Sequence, residues 1–167
     1  IRKPRLSRSG FYVDVRGSIV TTADAVLNCT RITLDDEYEA KLDTVDAARG
    51  IAIVRPKEAL TPPQVARVTS LPPRLQSDVA VAGYSYEGVL DAPTVTFGTL
   101  QDLRGLHGET DLNRLKLNSL PGDAGGPVID GSGNVFGMLL PRAQTDRQLP
   151  QDVNFSITGS AIADIMA

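Results

Sequence analysis

The 167-residue chain carries 17 Lys and Arg against 20 Asp and Glu, a net charge of −3, with 41% hydrophobic and 5% aromatic residues. That length and apolar fraction fit one domain, or two small lobes sharing an interface. The acidic balance excludes general nucleic-acid binding, which needs a basic face to neutralise phosphates. No stretch approaches the ~20 apolar residues of a membrane-spanning helix.

The N-terminal Arg2, Lys3, Arg5 and Arg8 read as a solvated basic arm, with docking to an acidic partner as the sharper alternative. No secretory leader is legible, so the chain reads as a mature protein or an excised domain. Ser9–Val15 and Ser18–Thr22 alternate in polarity around Arg16-Gly17 and predict a hairpin. Ala23–Leu27 suggests one helical turn. Cys29, the single cysteine, excludes an intrachain disulfide and reads as a buried small hydrophobe. Thr30–Leu34 and Tyr38–Leu42 predict strands around the acidic turn Asp35-Asp36-Glu37, which with Glu39 reads as a charged turn, a weak hard-cation site being the alternative. Ile51–Arg55 is a further strand. Pro56–Pro73 holds five prolines without strand periodicity and marks a linker.

A second β set runs through Asp78–Tyr84, Thr94–Gln101, Leu115–Leu117, Pro127–Ile129, Asn134–Leu140 and Val153–Ile157. Asp130-Gly131-Ser132-Gly133 is a strong hairpin turn. Ser160 is placed to cap a last helix with Ile162, Ile165 and Met166 on one face. Two sets of about six strands joined by a proline-rich crossover predict an all-β fold of two packed six-stranded antiparallel barrels with a short C-terminal helix. The expected boundaries are about 9–56, 57–73, 74–158 and 160–167. No internal repeat or low-complexity segment is present.

Residues 122–127 read Gly-Asp-Ala-Gly-Gly-Pro. This segment resembles the Gly-Asp-Ser-Gly-Gly-Pro loop of trypsin-like serine proteases, with Ala124 in place of the nucleophile. Ser9-Gly10-Phe11-Tyr12-Val13 is similar to the Gly-Ser/Thr-Gly-Phe opening strand of the HtrA/Deg-like branch. Ile19–Val26 resembles its Ile-Leu-Thr-Asn-Ala-His-Val-Val block and puts Asp24 where the histidine belongs. Gly50-Ile51-Ala52-Ile53-Val54 resembles its Asp-Leu-Ala-Val-Leu strand and puts Gly50 where the aspartate belongs, although Asp43 and Asp46 lie nearby.

The resemblance implies a trypsin-like double barrel with all three triad positions changed. It further implies that Gly122, Asp123 and Ala124 supply the backbone N–H groups of an oxyanion hole. Leu140, Pro141 and Arg142 fall on the substrate-pairing edge, and Asn118 and Asn154 near the specificity pocket. Asp24 reads as solvated and Asp123 as structural. The single histidine, His107, lies in a polar Gly-flanked loop and reads as solvent-exposed. Loss of one triad member leaves only ~10³–10⁴-fold catalysis over water, against the roughly 10⁶-fold or more of working enzymes. The expectation is therefore a non-enzyme: a pseudoprotease that binds a protein or peptide partner or regulates an active relative. It would need no cofactor and no metal, would bind no nucleic acid, and would be extracytoplasmic by resemblance. The alternatives are a ligand- or metal-binding domain reusing the cleft, or a serine endopeptidase inactivated by substitution. Oligomeric state stays open.

Overall fold

The structure is a computed structural model and describes residues 6–27, 29, 31–34, 38–85, 92–142 and 149–167. Short alternating runs become antiparallel strands in two sheets. The first contains β1 (Gly10–Tyr12), β2 (Ile19–Thr22), β3 (Ile32–Leu34), β4 (Tyr38–Asp46) and β5 (Ile51–Pro56), in the spatial order β1-β2-β5-β4-β3. The second contains β6 (Asp78–Gly83), β7 (Thr94–Asp102), β8 (Leu112–Lys116), β9 (Pro127–Ile129), β10 (Val135–Leu139) and β11 (Val153–Thr158). These six close into a barrel, β10-β11-β8-β7-β6-β9. An α-helix, α1 (Gly159–Met166), follows.

The all-β expectation with a C-terminal helix holds. The first unit, however, is a five-stranded open sheet among the described residues, where six strands in a closed barrel were expected. Its edge strands, β1 and β3, do not pair with each other among the described residues. The predicted acidic turn 35–37 and the arm residues 2, 3 and 5 lie outside the described residues.

Residues buried in alternation build the barrel interior: Val79, Val81, Leu100, Leu115 and Phe136. A second cluster joins the two sheets. It sets Phe11, Val20 and Ile53 of the first against Met138 and Ile157 of the barrel and Ile162 of α1. The proline-rich linker contributes to this seam. Ala66 N–H donates to Tyr12 O at 2.8 Å, and Val68 forms a parallel bridge to Val135.

Three local expectations are corrected. The helix cap is Thr158, whose hydroxyl accepts from Ala161 N–H at 3.2 Å, so Ser160 lies inside the helix. Met166 is exposed while Ala161 and Ile162 are buried, because the short helix meets the barrel through its first turn. Cys29 is exposed, since it follows the 3₁₀ turn Ala23–Ala25 on a connection that runs over the surface.

Arg49 ties the units electrostatically. It lies 3.8 Å from Asp46, 3.5 Å from Asp111 and 3.2 Å from Asp164, one carboxylate from the first sheet, one beside the barrel and one on α1. These pairs are partly exposed, so each is worth only a fraction of a kcal/mol. Together they share one cation, and its removal leaves three carboxylates facing one another. We expect Arg49→Ala to lower stability by about 1–2 kcal/mol in urea unfolding at low salt. The difference should shrink at high salt, where screening weakens the pairs.

Candidate functional site

The loop 121–126 lies at the seam of the two sheets, and its glycines explain how it gets there. Gly125 has φ +92°, and a Cβ on it would stand 2.0 Å from Ser9 O. Only glycine allows both that backbone angle and that approach. The loop is held from both sides: Gly125 N–H donates to Leu139 O at 2.7 Å, and Ser9 N–H donates to Ala124 O at 2.8 Å.

Ser9 carries three further bonds. Its hydroxyl donates to Gly122 O at 2.7 Å and accepts from Tyr84 N–H at 2.8 Å, while its carbonyl accepts from the Thr21 hydroxyl at 2.8 Å. Asp123 is 1% exposed. Its carboxylate accepts from the Ser85 hydroxyl, itself bonded to Thr94, and from Leu120 N–H at 2.9 Å. The reading of Asp123 as structural matches this burial.

Asp24 sits in the 3₁₀ turn Ala23–Ala25 that follows β2. It is not a free solvated carboxylate. It accepts from the Thr22 hydroxyl and from Arg8, whose Nη2 donates at 3.0 Å and whose Nε lies 3.4 Å from each carboxylate oxygen. Arg8 is likewise not part of a solvated arm: its side chain is 13% exposed, against 40% for Asp24. Its Nη1 donates across the seam to Pro121 O at 2.9 Å. Gly50 adjoins this group through its carbonyl, which accepts from Ala23 N–H at 2.9 Å. It has φ +77°, and a Cβ there would meet Leu140 Cδ2 at 3.4 Å. Asp43 and Asp46 are engaged with Arg55 and Arg49.

The three loop positions expected to aim N–H groups at an oxyanion do not all do so. Pro121–Asp123 forms a 3₁₀ turn. Asp123 N–H donates to Leu120 O at 2.9 Å, and Ala124 N–H faces Pro121 O at 3.4 Å. The Pro121 carbonyl thus points at Arg8, and the turn satisfies donors that a formed hole would leave free.

The remaining cleft residues are also largely engaged. Asn154 is buried, donates to Leu117 O at 2.6 Å and accepts from the Ser119 hydroxyl at 2.8 Å. Asn118 is exposed. Leu140 N–H donates to Phe155 O at 3.0 Å, and Pro141 has no N–H. Arg142 turns back on its own loop and donates to the carbonyls of Leu149, Pro150, Gln151 and Val153. His107 is exposed, as expected. A cavity of about 380 Å³, lined in part by Gln101, Leu106, Arg114, Lys116 and Asp152, includes none of Asn118, Leu140, Pro141, Arg142 and Asn154. Among the described residues, no group of three His, Cys, Asp or Glu side chains is placed to hold a metal ion.

Arg8, Ser9 and Ser85 are the site residues that local pattern left unmarked. A basic residue just before an alternating strand was the available signal for Arg8.

The trypsin-like peptidase domain family matches residues 8–138. The chain belongs to that family. The crystal structure of an inactive form of a serine-to-alanine mutant of Rv3671c, from Mycobacterium tuberculosis, superposes on this trypsin-like domain with a TM-score of 0.76. The two are 25% identical, and the match covers 99% of this chain and 82% of that one. The curated serine protease Rv3671c of M. tuberculosis is 26% identical over 97% of this chain and 42% of its own length. An uncharacterized protein of Sinorhizobium fredii, y4bJ, is 28% identical over 92% of this chain and 26% of its own. The trypsin-like domain therefore spans less than half the length of these curated relatives. The expectation of a non-enzyme is corrected by these findings: the relatives with a named activity are serine proteases.

Proposed function

We propose that this trypsin-like domain recognises an extended protein or peptide segment in the cleft between its two sheets. The observation that carries the reading is the convergence of Asp24, Arg8 and the Pro121–Ala124 turn at the seam, far apart in sequence and partly open to solvent. Concave seams with a few convergent polar groups are where protein folds place ligands. Recognition of a peptide does not depend on a hydroxyl at position 124, so it is the recognition step that we assign to these residues.

In this reading Asp24, Gly50 and Ala124 occupy the positions of the family's histidine, aspartate and serine. Support comes from the matching blocks at Ile19–Val26, Gly50–Val54 and Gly122–Pro127 and from the hydrogen bond between Ala23 and Gly50. The opening strand Ser9–Val13 favours the HtrA/Deg-like branch, and with it an extracytoplasmic location. No helix among the described residues is long and apolar enough to cross a membrane.

The test is an amide-resolved NMR titration of the domain with dodecapeptides derived from unfolded casein. Shifts should concentrate at Asp24, Leu120–Ala124 and Leu140–Arg142. Saturable shifts confined to other surfaces would place recognition elsewhere and overturn the reading.

A further inference from the structure

Arg8 occupies the cleft in which the proposed function places a peptide, and this inference rests on that reading. Its guanidinium is nearly buried, yet it belongs to the segment leading into β1 rather than to any wall of the cleft. It binds one group from each side of the seam: the Asp24 carboxylate through Nη2 and Nε, and the Pro121 carbonyl through Nη1. Both contacts have consequences. The bond to Pro121 stabilises the orientation in which that carbonyl faces the cleft, which is the orientation that also receives Ala124 N–H. The pair with Asp24 neutralises a carboxylate that is 40% exposed.

We propose that Arg8 is an internal latch that fills the peptide cleft, and that the peptides able to displace it carry a Lys or Arg side chain beside Asp24. The asymmetry of exposure sets this preference. Asp24 is 40% exposed and Arg8 13%, so an incoming side chain reaches the carboxylate before the guanidinium. A cation on the peptide takes over the charge-assisted bonds as Arg8 leaves, and Asp24 is not left without a partner. A neutral peptide gives no such exchange, and an acidic one meets like charge. Once Arg8 has left, Pro121 O loses its strongest donor, and the 121–122 peptide unit is free to turn. The latched state is a competing conformation, so it lowers apparent affinity by the fraction of molecules that are open.

The test uses the chain as it stands, with Arg8→Ala, Arg8→Lys and Asp24→Asn variants. The first readout needs no ligand: hydrogen exchange at the amides of Asp123 and Ala124. Exchange should accelerate in Arg8→Ala and Asp24→Asn. Arg8→Lys, which keeps the charge but not the bidentate fork, should fall between wild type and Arg8→Ala. The second readout is fluorescence anisotropy with three dodecapeptides of one sequence bearing Arg, Gln or Glu at a central position. Arg8→Ala should bind the Arg peptide about tenfold more tightly than wild type. Asp24→Asn should lose the preference for Arg over Gln. Unchanged amide exchange in both Arg8→Ala and Asp24→Asn overturns the latch. A Glu peptide binding as well as the Arg peptide overturns the assigned specificity. If no peptide binds any variant while exchange still accelerates, the latch stands and the peptide-recognition reading falls.

Discussion

Gly125→Ala should destabilise the domain by about 4 kcal/mol, among the largest effects of any single substitution. Two terms add. A non-glycine residue at φ +92° costs on the order of 1–2 kcal/mol. The new methyl would also stand 2.0 Å from Ser9 O and 2.9 Å from Ser9 C, so the β1 segment must move. Ser9 carries the bonds to Ala124, Gly122, Tyr84 and Thr21, each worth roughly 1 kcal/mol. Relief of the clash loses several of them together. The expected fall in Tm is about 8–16 °C for a domain of this size. Gly131→Ala is the control: nothing lies within 4 Å of its added Cβ, and the change should stay within about 0.5 kcal/mol. A Gly125→Ala protein as stable as Gly131→Ala would mean that the seam is not built as described.

The second large effect concerns chemistry. With the triad positions as proposed, Ala124→Ser alone places a hydroxyl beside a carboxylate, Asp24, that is already paired with Arg8. A carboxylate lacks imidazole's ability to take a proton from a nucleophile and pass it to a leaving amine. Asp24→His together with Ala124→Ser should raise fluorogenic-peptide turnover by about 10³-fold over Ala124→Ser alone, the scale on which a triad depends on its base. Gly50→Asp should add to this by fixing the imidazole tautomer. The position has φ +77° and ordinary contact distance to Leu140, and aspartate tolerates that region better than most residues. Arg8→Ala in the same background should help again, because it frees the Pro121–Ala124 turn to aim its N–H groups at an oxyanion. Equal turnover by Ala124→Ser and the multiple variants would show that another group serves as base and that the triad positions are misassigned.

What sequence alone determined here is what short-range chemistry encodes. Alternation at two-residue spacing marked Asp78–Tyr84 and Thr94–Gln101, which the structure forms as β6 and β7, because side chains on a strand face opposite sides in turn. Asp130–Gly133 marked a hairpin through its turn residues, and Gly122–Pro127 marked the loop at the seam through its resemblance to the family's nucleophile loop. The tertiary structure decided what depends on residues far apart. Arg8 meets Asp24 across 16 positions and Pro121 across 113, and Ser85 meets Asp123 across 38. No local pattern shows that a basic residue before a strand becomes buried, that a serine in the opening strand holds the loop from both sides, or that the expected oxyanion donors turn inward. The closing of the β6–β11 barrel was hidden for the same reason, because closure depends on whether edges distant in sequence meet.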